Sequence, residues 1–174
     1  NKAIAFSPSL KYIIIEITKS HLELNINAGD KLILAESLLD SFVKLHSLKS
    51  FKIIRNINKD EIADLVCVHP LQSKGYKKNV KIFPSPHVTD ETGTGFVHIA
   101  PNHGLEDFDL GQKFGLDNDE TVNEYGLYSE KIPFFSGKHI FKADEEIIQE
   151  LDKDKNLISQ NKYKHSYPHS WRSK

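Results

Sequence analysis

The sequence predicts an α+β fold in which a barrel-like mixed sheet, closed or nearly closed, is flanked by a few helices. The chain has 174 residues, of which 39% are hydrophobic and 27% charged. These values are typical of a globular domain large enough to bury a core. Most apolar segments are short and end at turn-forming residues, and only a few segments have helical spacing. Short strands mixed with few helices are typical of the α+β class.

The first half of the chain contains most of the predicted strands. Residues 3–6 and 11–18 are rich in isoleucine and predict strands, and 51–57 has the same character. Residues 31–46 carry apolar side chains at helical spacing, so we predict a helix of ten or more residues there. Residues 60–71 are compatible with either a short helix or a strand, and the His69-Pro70 pair within them marks its end.

The second half begins with two short predicted strands, at 79–83 and 96–100, and a helix is expected to begin near Gly104. Turns and short strands are predicted between 117 and 138 because glycine and asparagine recur there.

The end of the chain contains another predicted helix. Residues 143–154 have helical character, with Asp144 as the predicted N-cap. The remaining segment, 157–171, is predicted to be a strand that leaves the domain.

The charge pattern gives no overall signal for nucleic-acid binding, because the formal net charge is only -1. Arginine occurs only at Arg55 and Arg172, so bidentate phosphate contacts are scarce. The clustered basic residues are Lys74, Lys77, Lys78 and Lys81. We interpret them as a solvated loop in preference to a binding patch.

The cysteine content and the termini predict the compartment and the domain organisation. A single cysteine, Cys67, excludes an internal disulfide and indicates a reducing, cytoplasmic compartment. No apolar run is long enough for a membrane span, and no signal peptide is recognisable. The chain begins at Asn1 within a strand-like pattern and has no methionine. We therefore expect residues 1–174 to be one domain of a larger protein.

The segment GTGFVHIAPNHGLEDFDLG, residues 93–111, concentrates glycine, histidine and carboxylates. It lacks the third glycine of a dinucleotide fingerprint and the Gly-Lys-Ser/Thr of a phosphate loop. His98 and His103 are separated by four residues and by Pro101, which does not fit a helical zinc pair. His165 and His169 have the right gap, but Pro168 lies between them. No metal site is predicted.

Two residues of this segment are set apart by periodicity. Alternation along 95–100 directs His98 away from the aliphatic side of its strand, which suits either a pocket wall or a partly buried, hydrogen-bonded histidine. On the following helix, Glu106 and Asp109 belong to the solvent face, whereas Asp107 falls with apolar residues. A carboxylate on that face requires a partner. No local lysine or arginine reaches it, so we expect a cation, which a ligand could supply.

Residues 93–108, GTGFVHIAPNHGLEDF, resemble the editing-domain signature of isoleucyl-tRNA synthetases. The resemblance extends over essentially the whole chain, from Asn1-Lys-Ala-Ile through His69-Pro-Leu to the HSYPHSWR segment at 165–172. It implies a β-barrel editing (CP1) domain inserted in a class I synthetase, which hydrolyses Val-tRNA(Ile). The expected partners are the 3′ end of the tRNA carrying valine and the catalytic body of the same synthetase, with no membrane.

The resemblance also implies roles for individual residues. Asp107 matches the aspartate that holds the substrate ammonium, and His98 matches the histidine that helps to exclude isoleucine. These two form the expected catalytic pair, and Thr94, Gly95, Phe96 and His103 complete the substrate-binding set. A positioned water, assisted by the terminal ribose hydroxyl, would attack the ester. No cofactor is implied for this domain, whereas the parent synthetase would use ATP and Mg.

The chain departs from the family pattern at several positions. A threonine-rich segment of the family lies just upstream of the position matching Asn1, so we expect the pocket of this chain to be incomplete. Asn102 stands where glycine is usual, Glu106 where aspartate is usual, and Ser170 where cysteine is usual. The alternative function is therefore a fragment that binds the aminoacylated tRNA end without hydrolysing it.

Overall fold

The computed structural model describes residues 2–161. Within them the strands are β1 (Ala3–Phe6), β2 (Tyr12–Ile17), β3 (Lys31–Ala35), β4 (Phe51–Ile57), β5 (Val66–Val68), β6 (Asn79–Pro84) and β7 (Phe96–Ile99). The α-helices are α1 (Leu39–Leu45), α2 (Lys59–Ala63), α3 (Leu105–Phe114) and α4 (Ile140–Lys153). The predicted α+β class is confirmed.

The strands form two open sheets rather than one closed barrel. One sheet has the order β5-β6-β1-β7, in which β1 runs parallel to β6 and antiparallel to β7. The other has the order β3-β2-β4 and is antiparallel throughout.

The core lies between the two sheets and on their outer faces. Side chains alternate along β1, so that Phe6 packs between the sheets with Tyr12 of β2, while Ala3 and Ala5 face α3. The outer face of the smaller sheet buries Ile13 and other isoleucines against α1. The isoleucine-rich pattern of β2 is explained by this position, because both of its faces are covered.

The predicted helix over 31–46 is only partly correct. Residues 31–35 form β3, residues 36–38 a short 3-10 turn, and the α-helix begins at Leu39. A short apolar run fits a strand as well as a helix, and here β2 provides a pairing edge for it. The ambiguous stretch 60–71 contains both predicted elements, the end of α2 and then β5.

The predicted cap of the last helix is wrong. Helix α4 begins three residues before the predicted start, at Ile140, and the ring of His139 accepts a hydrogen bond from the Phe141 backbone N–H. Asp144 lies inside the helix and is exposed. Histidine is an uncommon N-cap, so the usual cap preferences select the aspartate instead. Residues 157–161 contain no helix or strand, and the rest of the predicted tail strand lies outside the described residues.

Candidate functional site

The loop before β7 is attached to the smaller sheet through two consecutive carbonyls. The Thr94 carbonyl accepts a hydrogen bond of 2.8 Å from the Ala35 N–H. The Gly95 carbonyl accepts one of 2.6 Å from the Tyr12 hydroxyl. Because β7 continues from this loop into the larger sheet, the loop connects the two sheets at the edge where the sequence motif lies.

Glycine is required at position 95 for two reasons. Its φ of +80° lies in the left-handed region. A Cβ there would also lie 2.7 Å from the Cβ of Ala35 and 3.2 Å from Cε1 of Tyr12. Gly93 has nearly the same φ, +81°, but a Cβ there would meet nothing within 4 Å. The second glycine of the motif is therefore fixed by packing as well as by backbone conformation.

Phe96 anchors the start of β7. Its ring lies 4.9 Å from the ring of Tyr12, between centroids, and it packs against the core between the sheets. The prediction that Thr94, Gly95 and Phe96 line a substrate pocket stays a prediction. The structure establishes that the three form one segment held against Tyr12 and Ala35.

His98 lies on the exposed edge of the larger sheet. It is paired with Ile4 in the register of β1 and β7, and the strand alternation puts it on the same face as Phe96. Since β7 is an edge strand, the His98 side chain remains exposed. Of the two sequence-based alternatives, partial burial is wrong, and the role in a pocket wall stays a prediction.

Asp107 lies in the first turn of α3, whose N-cap is Gly104. Its side chain is half-buried, as the helical periodicity predicts, and Glu106 and Asp109 are exposed. One carboxylate oxygen, Oδ2, accepts a hydrogen bond of 2.8 Å from the Ala100 N–H. The carboxylate therefore joins the helix start to the end of β7, where the positive end of the helix dipole also favours it.

The partner of Asp107 in the structure is thus a backbone amide rather than a cation. Within residues 2–161 no lysine or arginine forms an ion pair with it, and its second oxygen accepts no hydrogen bond. The amide supplies the partner that burial of the carboxylate requires. A cation supplied by a ligand stays a prediction.

His103 belongs to the turn between β7 and α3. Its backbone N–H donates to the Ala100 carbonyl at 2.9 Å. Both backbone polar groups of Ala100 are therefore hydrogen-bonded, the carbonyl to His103 and the N–H to the Asp107 side chain. The exposed His103 side chain lines a cavity of about 280 Å³ together with Asn102 and Tyr128.

Of the predicted site residues, only His103 lines any of the four cavities of about 280–440 Å³ found among the described residues. A cavity of about 440 Å³ lies elsewhere, lined by His69, Tyr76 and Lys78 among others. Neither it nor the cavity at His103 is lined by His98 or Asp107. The structure therefore brings together two groups, Thr94–Phe96 with the smaller sheet and Ala100 with Asp107 and His103. No hydrogen bond joins the side chains of His98 and Asp107 within the described residues.

Residues 2–161 show neither a metal-binding cluster nor a membrane-spanning helix. No cluster of three or more histidine, cysteine, aspartate or glutamate side chains has a metal-binding arrangement. None of the helices in the described part of the chain is long and apolar enough to cross a membrane.

Comparison with known proteins gives the family. The chain aligns over its whole length with the isoleucine--tRNA ligase of Pelagibacter ubique, at 41% identity over 178 residues. It also aligns over its whole length with the isoleucine--tRNA ligases of Francisella tularensis subsp. novicida and Teredinibacter turnerae, at 38% and 35% identity. The chain corresponds over its whole length to one segment of the isoleucine--tRNA ligases. It spans less than a fifth of these relatives, 19% of the first and 17% of the other two.

The fold agrees with this family. The solved CP1 domain of a leucyl-tRNA synthetase, GlLeuRS-CP1, superimposes with a TM-score of 0.65 over 93% of this chain and 78% of that one. Their sequences are 13% identical, so this likeness concerns the fold alone. No family model matches the chain.

Sequence reasoning missed two contributors to the motif region of this chain, Tyr12 and Ala35. Tyr12 is 83 positions from the glycine whose carbonyl it binds. Periodicity identifies Tyr12 only as a strand residue, because its contact with the motif depends on how the two sheets are packed. The available signal was an aromatic residue with a polar hydroxyl at the start of an isoleucine-rich strand.

Proposed function

We propose that this domain hydrolyses the aminoacyl ester of mischarged Val-tRNA(Ile) and excludes isoleucine by size. Isoleucyl-tRNA synthetases are themselves the standard example of the underlying limit: one methylene changes binding in an apolar pocket by only about 1–3 kcal/mol. A synthetic site therefore admits valine too often, and a second, smaller pocket removes the error.

The arrangement of Asp107 supports this proposal more than any other observation. One of its oxygens is held by the Ala100 N–H, which fixes the direction of the carboxylate. The other oxygen is not engaged within residues 2–161, and no lysine or arginine there neutralises the charge. An oriented, half-buried carboxylate without a cation is suited to bind the α-ammonium group of an aminoacyl ester.

The remaining assignments follow the family signature. His98 limits the size of the side-chain pocket, Thr94 and Gly95 form its floor near the ester, and Phe96 supports that floor. His103 completes the proposed substrate-binding set. A water held near the ester attacks its carbonyl carbon. The bond between that carbon and the oxygen of the terminal ribose then breaks, and the ribose oxygen leaves as a hydroxyl with the assistance of the neighbouring hydroxyl. In this proposal the reaction uses no metal and no cofactor; ATP and Mg serve aminoacylation in the parent synthetase.

The proposed partners are the 3′ end of tRNA(Ile) and the catalytic body of the same synthetase, which delivers that end to the domain. The proposed location is the cytoplasm, where aminoacylation for translation takes place.

A second candidate is a segment that binds the aminoacylated end without hydrolysing it. It is favoured by one observation, namely that His98 and Asp107 line none of the four cavities found among the described residues. A pocket completed by a segment outside this chain would reconcile the two candidates, because hydrolysis would then depend on that segment.

The decisive experiment measures deacylation of Val-tRNA(Ile) with the charge of Asp107 removed. Asp107→Asn keeps an oxygen that can accept from the Ala100 N–H but removes the negative charge. A hydrogen bond to a charged group is worth about 1.5–3 kcal/mol, so deacylation should fall about 10- to 100-fold. Asp109→Asn is the matched control, because Asp109 is exposed on the same helix and should leave the rate unchanged.

The same assay separates the two candidates. It is performed with this chain, with a version extended at its N-terminus, and with a full-length isoleucyl-tRNA synthetase that carries the segment. Activity of the longer proteins alone would support a pocket completed from outside the chain. If they deacylate and Asp107→Asn is equally active, the assignment of Asp107 is wrong. Absence of deacylation in every form would support the binding-only candidate.

A further inference from the structure

The hydroxyl of Tyr12 is a buried hydrogen-bond junction between three parts of the chain. The residue is 3% exposed. Its hydroxyl accepts from the Ser7 N–H at 3.0 Å, just after β1, and donates to the Gly95 carbonyl at 2.6 Å. Burial raises the pKa of the phenol, so the hydroxyl stays protonated and keeps its donor at neutral pH.

Both attachments of the motif loop come from one cross-strand pair. Tyr12 of β2 and Ala35 of β3 are directly opposite in the smaller sheet. Tyr12 binds the Gly95 carbonyl through its side chain, and Ala35 binds the Thr94 carbonyl through its backbone. Two consecutive peptide groups are therefore fixed, and with them the direction in which the partly exposed Thr94 side chain points.

Close contacts with the smaller sheet prevent the loop from moving toward that sheet. The Gly95 backbone lies too close to Ala35 to leave room for a side chain, since an added Cβ would be 2.7 Å from the Ala35 Cβ. The Tyr12 hydroxyl opposes the reverse movement, because moving the loop away from the smaller sheet would leave the buried Gly95 carbonyl and the donor of the Tyr12 hydroxyl without partners. The distance between the loop and the smaller sheet is thus limited in both directions.

We infer that Tyr12 is a positioning residue for the editing reaction. It sets the distance between the Thr94–Gly95 segment and the smaller sheet without touching the substrate. This inference rests on the function proposed above. Its consequence is that loss of one hydroxyl, remote from the ester, alters both the rate of hydrolysis and the size limit of the pocket. A displacement of about 1 Å in a reacting geometry can lower a rate by about 100-fold.

The test replaces Tyr12 by phenylalanine in a full-length isoleucyl-tRNA synthetase that carries this segment. Tyr12→Phe keeps the ring that packs against Phe96 and removes only the hydroxyl. Tyr76→Phe is the matched control, since the half-buried Tyr76 also donates to a backbone carbonyl, that of Pro133 at 2.9 Å, but in a different hydrophobic cluster. Both variants are assayed for deacylation of Val-tRNA(Ile) and Ile-tRNA(Ile).

Tyr12→Phe should lower kcat for Val-tRNA(Ile) about 10-fold or more, change KM by less than about twofold, and raise the Ile/Val cleavage ratio. Tyr76→Phe should leave kcat and this ratio unchanged. A purely structural role for Tyr12 would lower the amount of active protein but would not shift the Ile/Val ratio.

Hydrogen exchange provides a readout that does not depend on activity. Tyr12→Phe should increase the exchange of the Ser7 amide and of the amides over 93–96, and Tyr76→Phe should not. Unchanged exchange in this segment would overturn the inference, as would unchanged kcat and Ile/Val ratio in a protein that deacylates normally. Absence of deacylation in the unsubstituted synthetase would instead overturn the proposed function, and the positioning role of Tyr12 with it.

Discussion

Replacement of Gly95 by alanine tests whether the motif loop is held in close contact with the smaller sheet. The left-handed backbone at φ +80° costs an alanine about 1–2 kcal/mol. The new Cβ would lie 2.7 Å from the Cβ of Ala35, and such overpacking in a buried contact costs a further ~1–3 kcal/mol. Gly95→Ala should therefore lower the free energy of unfolding by about 2–5 kcal/mol.

The two contributions are separated by the matched variant Gly93→Ala. Gly93 has φ +81° and open space around it, so only the backbone strain of about 1–2 kcal/mol applies. Urea unfolding followed by circular dichroism gives both values, and each kcal/mol should lower Tm by roughly 2–4 °C in a domain of this size. Equal losses in the two variants would refute the close packing of Gly95 against Ala35 and Tyr12.

Three further predictions concern size selection, pH and helix capping. His98→Ala should enlarge the proposed pocket and permit cleavage of Ile-tRNA(Ile) in the deacylation assay; unchanged discrimination would contradict the assignment. Hydrogen bonds from Lys153 and Lys74 lower the pKa of buried Glu150 below its ordinary 4.5. The destabilisation caused by Glu150→Gln, measured by urea unfolding, should accordingly be largest at neutral pH and should shrink as the pH falls below 4.5. A loss of unfolding free energy that is independent of pH would exclude this charge effect. Asn58→Ala removes both cap bonds of α2 and should reduce the unfolding free energy by about 1 kcal/mol; an unchanged urea midpoint would refute the cap.

Periodicity predicts β2 correctly because most of this strand is buried. β2 is an isoleucine-rich strand covered on both faces, and its apolar pattern is visible without knowledge of its neighbours. The segment 31–35 is different, because a short apolar run fits a helix or a strand, and pairing with β2 decides between them. The start of α4 was misplaced for a local reason, since a histidine ring serves as its cap.

At the candidate site, the sequence predicts the burial of Asp107 but not its hydrogen-bond partner. The helical wheel separates half-buried Asp107 from the exposed Glu106 and Asp109, because a helix start defines which positions share a face. It could not identify the partner of Asp107, since the Ala100 N–H lies seven positions earlier, directly after the end of β7.

The sequence by itself determined the α+β class, the family signature over 93–108, and the position of Asp107 on its helix, because these depend on local periodicity and on residue identity. The tertiary structure decided that the sheets are two and open, that His98 is exposed at an edge, and that Tyr12 and Ala35 hold the motif loop. These features depend on contacts between residues tens of positions apart. Their formation is governed by strand pairing and sheet packing, which no local pattern encodes.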